Sequence, residues 1–431
     1  MAAGEVRVVV DGSEVHFTDA GPVLLQGRIL VPLRVICSAL GVREVGWDEA
    51  TREVEVVTGG AVINMTVGEV RAYVGSREVL LDVPPRIMAG RTMVPLRFFS
   101  QALGATVDWD AETRTASIRR PRLGSRRLLG YYAFSSYPDL ILYGHLLTDI
   151  ATFWFSLEED GGLRESYPQD FLSALREARR RNLGVTAIVF ADEPAVLSGV
   201  LNDPARRQRA IDAIYRAAAA MRFDGVNLDF EGVRPEDRDA FTLFVLDLNS
   251  KLKGLNMSLS LSLPAKSSDG QSWLAGYDFS RLGRAADFVV IMAYNQHYKT
   301  SAPGPIAGYP WAERVVKYAV SKIDPAKVLL GLGVYGYDWA SGAKTQSLVT
   351  TVAYERAERY GAQVVWDETE RSPHYEYVDE YGRRHQVWFE DERSIAAKME
   401  LVDKYGLGGI ALWRLGYPDA DTWRVIAGGT R

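Results

Sequence analysis

The sequence predicts an α/β protein, a (β/α)8 TIM barrel preceded by a duplicated small α+β domain, on three observations. From about residue 128 onward, eight apolar strand-like runs recur, most of them separated by amphipathic stretches. Within the first 120 residues one motif occurs twice. The fourth apolar run ends in Asp224-Gly225-Val226-Asn227-Leu228-Asp229-Phe230-Glu231, the segment richest in chemistry.

The duplication comes first in the chain. Gly27-Arg28-Ile29-Leu30-Val31-Pro32-Leu33-Arg34 with Ala39-Leu40-Gly41 recurs as Gly90-Arg91-Thr92-Met93-Val94-Pro95-Leu96-Arg97 with Ala102-Leu103-Gly104. Trp47-Asp48 with Thr51-Arg52 likewise recurs as Trp109-Asp110 with Thr113-Arg114. Each copy reads as short alternating strands, a helix opening at Val-Pro-Leu-Arg and closing at glycine, and a hairpin around Trp-Asp. Cys37 is the single cysteine and its counterpart is Ser100. It therefore reads as a small buried packing residue, and neither an intramolecular disulfide nor a cysteine-based zinc site is available. Expected boundaries are 1–119 for this module, 120–127 for a linker and 128–431 for the barrel. Around the linker stand Arg119, Arg120, Arg122, Arg126 and Arg127, with Pro121 and Gly124 as breaks, and the stretch reads as solvated.

The barrel strands are expected at Leu128–Phe134, Ile150–Ser156, Gly184–Phe190, Gly225–Glu231, Met257–Leu263, Phe288–Tyr294, Val328–Tyr335 and Gly409–Trp413. Stretches such as Asp170–Arg181 and Arg206–Met221 supply the helices between them. Catalytic groups of such a barrel sit at the C-terminal ends of its strands. The connection between strands seven and eight is long; its Tyr375–Phe389 part, with a Glu380-Tyr381-Gly382 turn, reads as an inserted hairpin able to wall a cleft.

On the fourth strand, alternation sends Asn227, Asp229 and Glu231 to one face and Val226, Leu228 and Phe230 to the other. The apolar face suits burial under helices, so the polar face must line an enclosed space. Two acids about 7 Å apart along a strand, with restricted water, do not titrate independently. A shared proton keeps one of them protonated near neutral pH, which is what a general acid needs. No basic residue adjoins them in the segment, which disfavours a purely structural ion pair.

Composition narrows the field. With 50 Lys+Arg against 55 Asp+Glu, the net charge of -5 gives no reason to expect nucleic acid. No run of 18 apolar residues is present, so membrane insertion is not expected. The start, Met-Ala-Ala-Gly-Glu-Val-Arg, lacks the basic-then-apolar pattern of a secretion signal. The 10 Trp and 21 Tyr include candidate platforms for sugar faces. His16, His145, His297, His374 and His385 lack metal-ligand spacing, and neither metal nor cofactor is expected.

The Asp224–Glu231 run resembles the D-x-x-D-x-D-x-E motif of glycoside hydrolase family 18. Leu263-Pro264-Ala265, Met292-Ala293-Tyr294 and Trp413 agree with it at the ends of strands five, six and eight. Gly333–Trp339 and Gly408–Gly416 look most like the bacterial spore-germination and cortex-lytic branch. The duplicated module resembles the copper amine oxidase N-terminal-like domain, known as a stalk on extracellular and wall-associated bacterial proteins. No copper is implied, because His16 is the only histidine before residue 120.

The resemblance implies a retaining, substrate-assisted glycosidase, an exception to the usual two-carboxylate scheme. Glu231 would protonate the leaving oxygen and later act as base. Asp229 would hold the substrate's acetamido N–H while the acetamido carbonyl attacks the anomeric carbon. Tyr294 would donate to that carbonyl, and Trp413 would stack under the sugar. Further substrate contacts are expected from Asn227, Asn295, Tyr131, Tyr337 and Trp339. The implied partner is an N-acetylated glycan, peptidoglycan of the spore cortex or else chitin. The implied location is extracellular, at the cell wall or spore, with the N-terminal module as attachment and the export signal removed. Asn227 and Asn295 depart from the family, which has aspartate at the first position and often at the second. Rival readings are a chitinase, a catalytically silent glycan-binding protein, and a glycosidase with a protein nucleophile.

Overall fold

The computed structural model describes residues 6–10, 13–40, 44–57, 62–74, 77–102, 106–111, 113–119 and 126–429. Two compact units emerge, residues 1–124 with 430–431, and residues 125–429. Gly41, Leu103 and Gly104 of the repeats, and Arg120, Pro121, Arg122 and Gly124 of the linker, lie outside the described residues. Among the described residues no helix is long and apolar enough to cross a membrane.

In the first unit the two copies meet along their equivalent strands. Arg28–Pro32 pairs antiparallel with Arg91–Pro95, with Val31 opposite Val94. Because those two valines are counterparts in the repeat, the pairing has local two-fold character. Each strand runs into a short helix, Leu33–Ala39 and Leu96–Ala102. The proline before each helix ends the strand's ladder by lacking an N–H. Leu33, Ile36 and Cys37 from one copy and Leu96 and Phe99 from the other enter one shared core. Cys37 is buried, and that burial pushes its thiol up to about 12, out of reach of thiolate chemistry at neutral pH.

The second unit is a closed parallel barrel. Its strands are β1 (Arg127–Tyr132), β2 (Asp149–Leu157), β3 (Gly184–Ala191), β4 (Gly225–Phe230), β5 (Ser258–Pro264), β6 (Phe288–Met292), β7 (Val328–Gly333) and β8 (Gly409–Trp413). Every neighbouring pair is parallel, and β1 closes the ring by pairing with both β2 and β8. Strands six and seven stop two residues short of the expected ends. Tyr294 and Tyr335 therefore lie just past the sheet, in the loops at its C-terminal mouth.

Alternation along the strands separates two surfaces. Leu129, Tyr131, Ala151, Ile188, Val290, Leu329 and Ala411 fill the interior as a packed core. Outward groups meet the helices: Phe230 sits 5.8 Å from Phe241 and 5.7 Å from Phe244 of the helix Arg238–Lys253. Arg126 and Arg127, read with the linker, belong to the barrel instead. Arg126 pairs with Asp403, and Arg127 with Asp149 at 2.8 Å.

The insertion between β7 and β8 is larger than a hairpin. Ser372–Val378 and Arg384–Phe389 do pair antiparallel around the expected turn. They are joined by Gly336–Ala340, Gln346–Leu348 and Val365–Asp367 into a five-stranded sheet, covered by the helix Thr350–Arg359. A buried ion pair ties this insertion back to the barrel: Lys398, on the helix Glu392–Tyr405, donates to Glu390 at 2.6 Å, and their side chains are 2% and 1% exposed. Breaking one half of such a pair strands a charge. Lys398→Met is expected to lower stability by about 3 kcal/mol or more. Replacing both Lys398 and Glu390 with apolar residues should recover most of the loss in urea unfolding. Additive losses from the two single changes would contradict this picture.

Candidate active site

β4 supplies the floor of the mouth. All six of its residues are buried. Asn227 is wholly enclosed, Asp229 is 3% exposed, and Glu231, one residue past the strand, opens to solvent. The Glu231 N–H still donates to Ala191 O at 2.7 Å, so its backbone remains registered to β3. Tyr277 fixes the chain on both sides of it, donating to Phe230 O at 2.8 Å and accepting from Val233 N–H at 3.2 Å. The acid therefore leaves a rigid backbone for an open groove.

Among the described residues no cation neutralises this floor. The Asp229 Oδ1 is buried without a hydrogen-bond partner. Burial first, and then the charges of Glu231 and Asp192, raise the Asp229 carboxyl well above its ordinary range. Glu231 is raised as well, by the surrounding protein and then by Asp192. Water reaches its side chain, but the groove walls thin that water enough to disfavour the charge. The pair thus holds a proton more firmly than free carboxyls do.

Tyr294 stands beside the acids. Burial and then the neighbouring Tyr131 and Asp229 raise its hydroxyl, so it stays a neutral donor at any working pH. Two glycines of β7 make room for it. A Cβ on Gly331 would come within 3.2 Å of the Tyr294 ring, and one on Gly333 within 3.0 Å of Tyr294 Cβ and 2.8 Å of the Tyr335 ring. Trp413 ends β8 half-buried, with Tyr131 at 5.4 Å and Phe153 at 5.6 Å, both edge-on. Its peptide bond to Arg414 is cis.

Several expected substrate contacts lie elsewhere. Asn227 sits beneath the floor: its Nδ2 donates to Ser260 Oγ and its Oδ1 accepts from Ser262 Oγ, both at 2.9 Å. Tyr131 is 1% exposed and spends its hydroxyl on Ser262 at 2.8 Å. Both residues lie inside the barrel, with their polar atoms engaged by the β5 serines. Tyr337 and Trp339 are each 7% exposed and join Tyr294 and Tyr335 in an aromatic cluster, so at most their edges meet the groove. Asn295 is exposed and accepts from Tyr335 at 2.6 Å and Tyr337 at 3.1 Å.

Sequence reasoning missed Asp192, Tyr277 and the serines of β5. The serines had a legible signal, since Ser258-Leu259-Ser260-Leu261-Ser262 puts hydroxyls on one face of a buried strand. Asp192 and Tyr277 lie in loops and carried none. A cavity of about 360 Å³ on the helix side of the inserted sheet is separate from this floor. Its charges satisfy one another, Arg383 with Asp379 and Arg356 with Asp338.

The family model described as glycosyl hydrolases family 18 matches residues 127–418. The chain belongs to that family. A second model, the copper amine oxidase N-terminal domain, matches residues 9–118. The chain is 36% identical over 224 residues to a putative sporulation-specific glycosylase, YdhD, of Bacillus subtilis, covering 51% of this chain and 53% of the relative. It is 33% identical over 294 residues to the cortical fragment-lytic enzyme of Bacillus anthracis, covering 65% and 67%. The chain thus spans about half of the first relative and two thirds of the second. Among solved structures, the Bacillus cereus spore cortex-lytic enzyme SleL superposes with a TM-score of 0.66 at 28% identity, over 70% of this chain and 74% of that one. A Chromobacterium violaceum chitinase superposes with 0.67 at 30% identity, over 70% and 98%.

The raised Asp229 carboxyl has a consequence for stability. The native state keeps this proton to a higher pH than the unfolded chain does, whose aspartate titrates near about 4. Between those two values the native state binds more protons, so stability falls as pH rises through the window. Asp229→Asn removes this residue's part of the dependence and leaves the part that the raised Glu231 carboxyl contributes. In urea unfolding the variant should match wild type near pH 4 and become progressively more stable than it towards pH 8. A gap that stays constant with pH would refute this.

Proposed function

We propose that the chain hydrolyses β-1,4 bonds at N-acetylglucosamine in bacterial peptidoglycan, in the spore cortex, by a retaining mechanism assisted by the substrate's own acetamido group. The observation that carries this reading is the buried, unpartnered Asp229 Oδ1 beside the open carboxyl of Glu231. An unsatisfied buried acceptor is costly unless a ligand supplies the donor, and an acetamido N–H is such a donor. Glu231, held protonated by its surroundings, gives its proton to the leaving oxygen. The acetamido carbonyl, polarised by the neutral Tyr294 hydroxyl, attacks the anomeric carbon and forms the oxazolinium ring. Asp229 takes up the positive charge that develops on the acetamido nitrogen. Glu231, now ionised, then draws a proton from the incoming water as its oxygen bonds to the anomeric carbon; the bond from that carbon to the acetamido oxygen breaks, the ring opens, and the acid is restored. Trp413 offers a flat face for the sugar at the cleaved bond.

The names of the similar Bacillus proteins support cortex glycan as the substrate. The same names fit a place at the spore, and attachment through the duplicated module is part of the proposal. Chitin or chito-oligosaccharide hydrolysis is the second reading, favoured by the near-complete overlap with the Chromobacterium chitinase. Products released from purified cortex glycan and from chitin oligomers separate the two.

Glu231→Gln is expected to lower kcat by at least about a hundredfold while retaining glycan binding. An oxazoline-mimicking thiazoline should inhibit the wild type, and substrates lacking the acetamido group should not turn over. Cleavage of such substrates at a comparable rate would point instead to a protein nucleophile.

A further inference from the structure

The wall beside the carboxylate floor has a hydrogen-bonding polarity of its own. Asn295 follows Tyr294 directly, in a left-handed conformation (φ 58) that asparagine tolerates better than most residues. Its Oδ1 accepts two phenol hydroxyls, from Tyr335 at 2.6 Å and Tyr337 at 3.1 Å. Those donors occupy the acceptor end of the amide and fix its orientation. What remains for a ligand is the Nδ2 group, which can only donate. An aspartate at this position would present an acceptor; this asparagine presents a donor.

A second observation lies on the same wall. Arg414 follows Trp413 and stacks over the Tyr417 ring, 4.1 Å from its centroid. Its guanidinium donates to backbone carbonyls, of Phe134 and, at 3.3 Å, of Leu415. Among the described residues no carboxylate lies within ion-pair distance of it. Asp139, which senses its charge, is buried and already engaged by the Gly416 N–H at 2.7 Å. Tyr417 in turn sits 6.3 Å from Tyr335, the phenol that orients Asn295. A fixed donor and a guanidinium without a carboxylate partner among the described residues are therefore linked through two tyrosines.

We propose that Asn295 and Arg414 recognise a carboxyl-bearing substituent on the glycan, such as the ether-linked lactyl group of N-acetylmuramic acid, in the sugar beside the cleaved bond. A sugar hydroxyl can meet a donor or an acceptor, so plain N-acetylglucosamine gains little from asparagine over aspartate. A lactyl carboxylate, or its amide carbonyl, only accepts. Aspartate would repel it, whereas a donor with a cation nearby favours it. The proposal rests on the hydrolase reading for the path of the glycan, and it makes these two residues the ones that distinguish wall glycan from chitin.

The test uses Glu231→Gln protein, so that binding is read without turnover. Calorimetry compares a tetrasaccharide of alternating N-acetylglucosamine and N-acetylmuramic acid with chitotetraose. The lactyl-bearing glycan should bind more tightly, and that preference should shrink as salt rises from about 0.05 to about 0.5 M. Adding Arg414→Gln should weaken its binding by about tenfold or more, with a much smaller change for chitotetraose. Arg414→Lys should restore part of the loss, and Asn295→Asp should by itself shift the ratio towards chitotetraose. Equal losses on both glycans, or no lactyl preference in the parent protein, overturn the proposal. Failure of the wild type to cleave any N-acetylated glycan would overturn the hydrolase reading alone, and the binding ratio would still judge the recognition site.

Discussion

The organisation of the barrel mouth follows from one constraint: Asp229 is buried beside Glu231, and among the described residues no cation neutralises either. A carboxyl in that setting keeps its proton or is destabilised by its charge, and the surroundings determine which. Here its buried neighbours are neutral, and the nearest charges, those of Glu231 and Asp192, are of its own sign. Asn227 below Asp229 is an amide held by Ser260 and Ser262, and Tyr131 closes the same network through Ser262. Tyr294 beside it is a phenol kept neutral by burial. The strand cannot turn Asp229 out to water by rotating, because Phe230 on its other face is packed against Phe241 and Phe244. Nor can Glu231 withdraw, since Tyr277 bonds the backbone on either side of it.

The inserted sheet applies the same logic to the wall. Along Gly336–Ala340, Tyr337 and Trp339 face the aromatic cluster of the mouth while Asp338 faces the opposite side. Asp338 is 1% exposed and accepts from Arg356 and from Tyr377 at 2.7 Å, with His385 Nδ1 also at 2.7 Å. Three donors on one buried carboxylate leave that strand little freedom to slide. The rear charge network thereby fixes the register of the two rings on the front, which in turn bond Asn295 and the Tyr298 carbonyl. Opposite strategies operate across a few strands: a buried acid starved of donors in the floor, and one saturated with them behind the wall.

What was legible in the sequence was whatever a period or a fixed spacing encodes. The period of two on residues 226–231 separated Asp229 from Phe230, and the structure buries them on opposite faces of β4. The repeat around Val31 and Val94 announced two copies, though not that they share one core, which depends on contacts remote in sequence. Depth along the barrel axis was not legible. Asn227 and Tyr131 have the same inward parity as Asp229 and Trp413, and only their height below the mouth makes them framework. Loop residues such as Asp192 and Tyr277 obey no period, so their effect on the acids needed coordinates.

The asparagine at position 227 also shapes the proposed proton cycle. With a second carboxyl there, Asp229 could pass its proton inward during the reaction and return it afterwards. Asn227 has no ionisable group, and both ends of its amide are engaged by serines. Among the described residues, the carboxyls whose charges raise Asp229 are Glu231 and Asp192, both exposed. In the proposed mechanism, proton traffic would then run outward, between Asp229, Glu231 and groove water. Each loss of the Glu231 proton to the leaving group makes Asp229 harder to ionise, because two adjacent charges in a thinly hydrated groove repel. An acetamido N–H accepted by Asp229, as the proposed mechanism has it, would offset that repulsion only while an N-acetylated sugar is bound. Substrate binding and acid strength are thereby coupled through a single carboxylate.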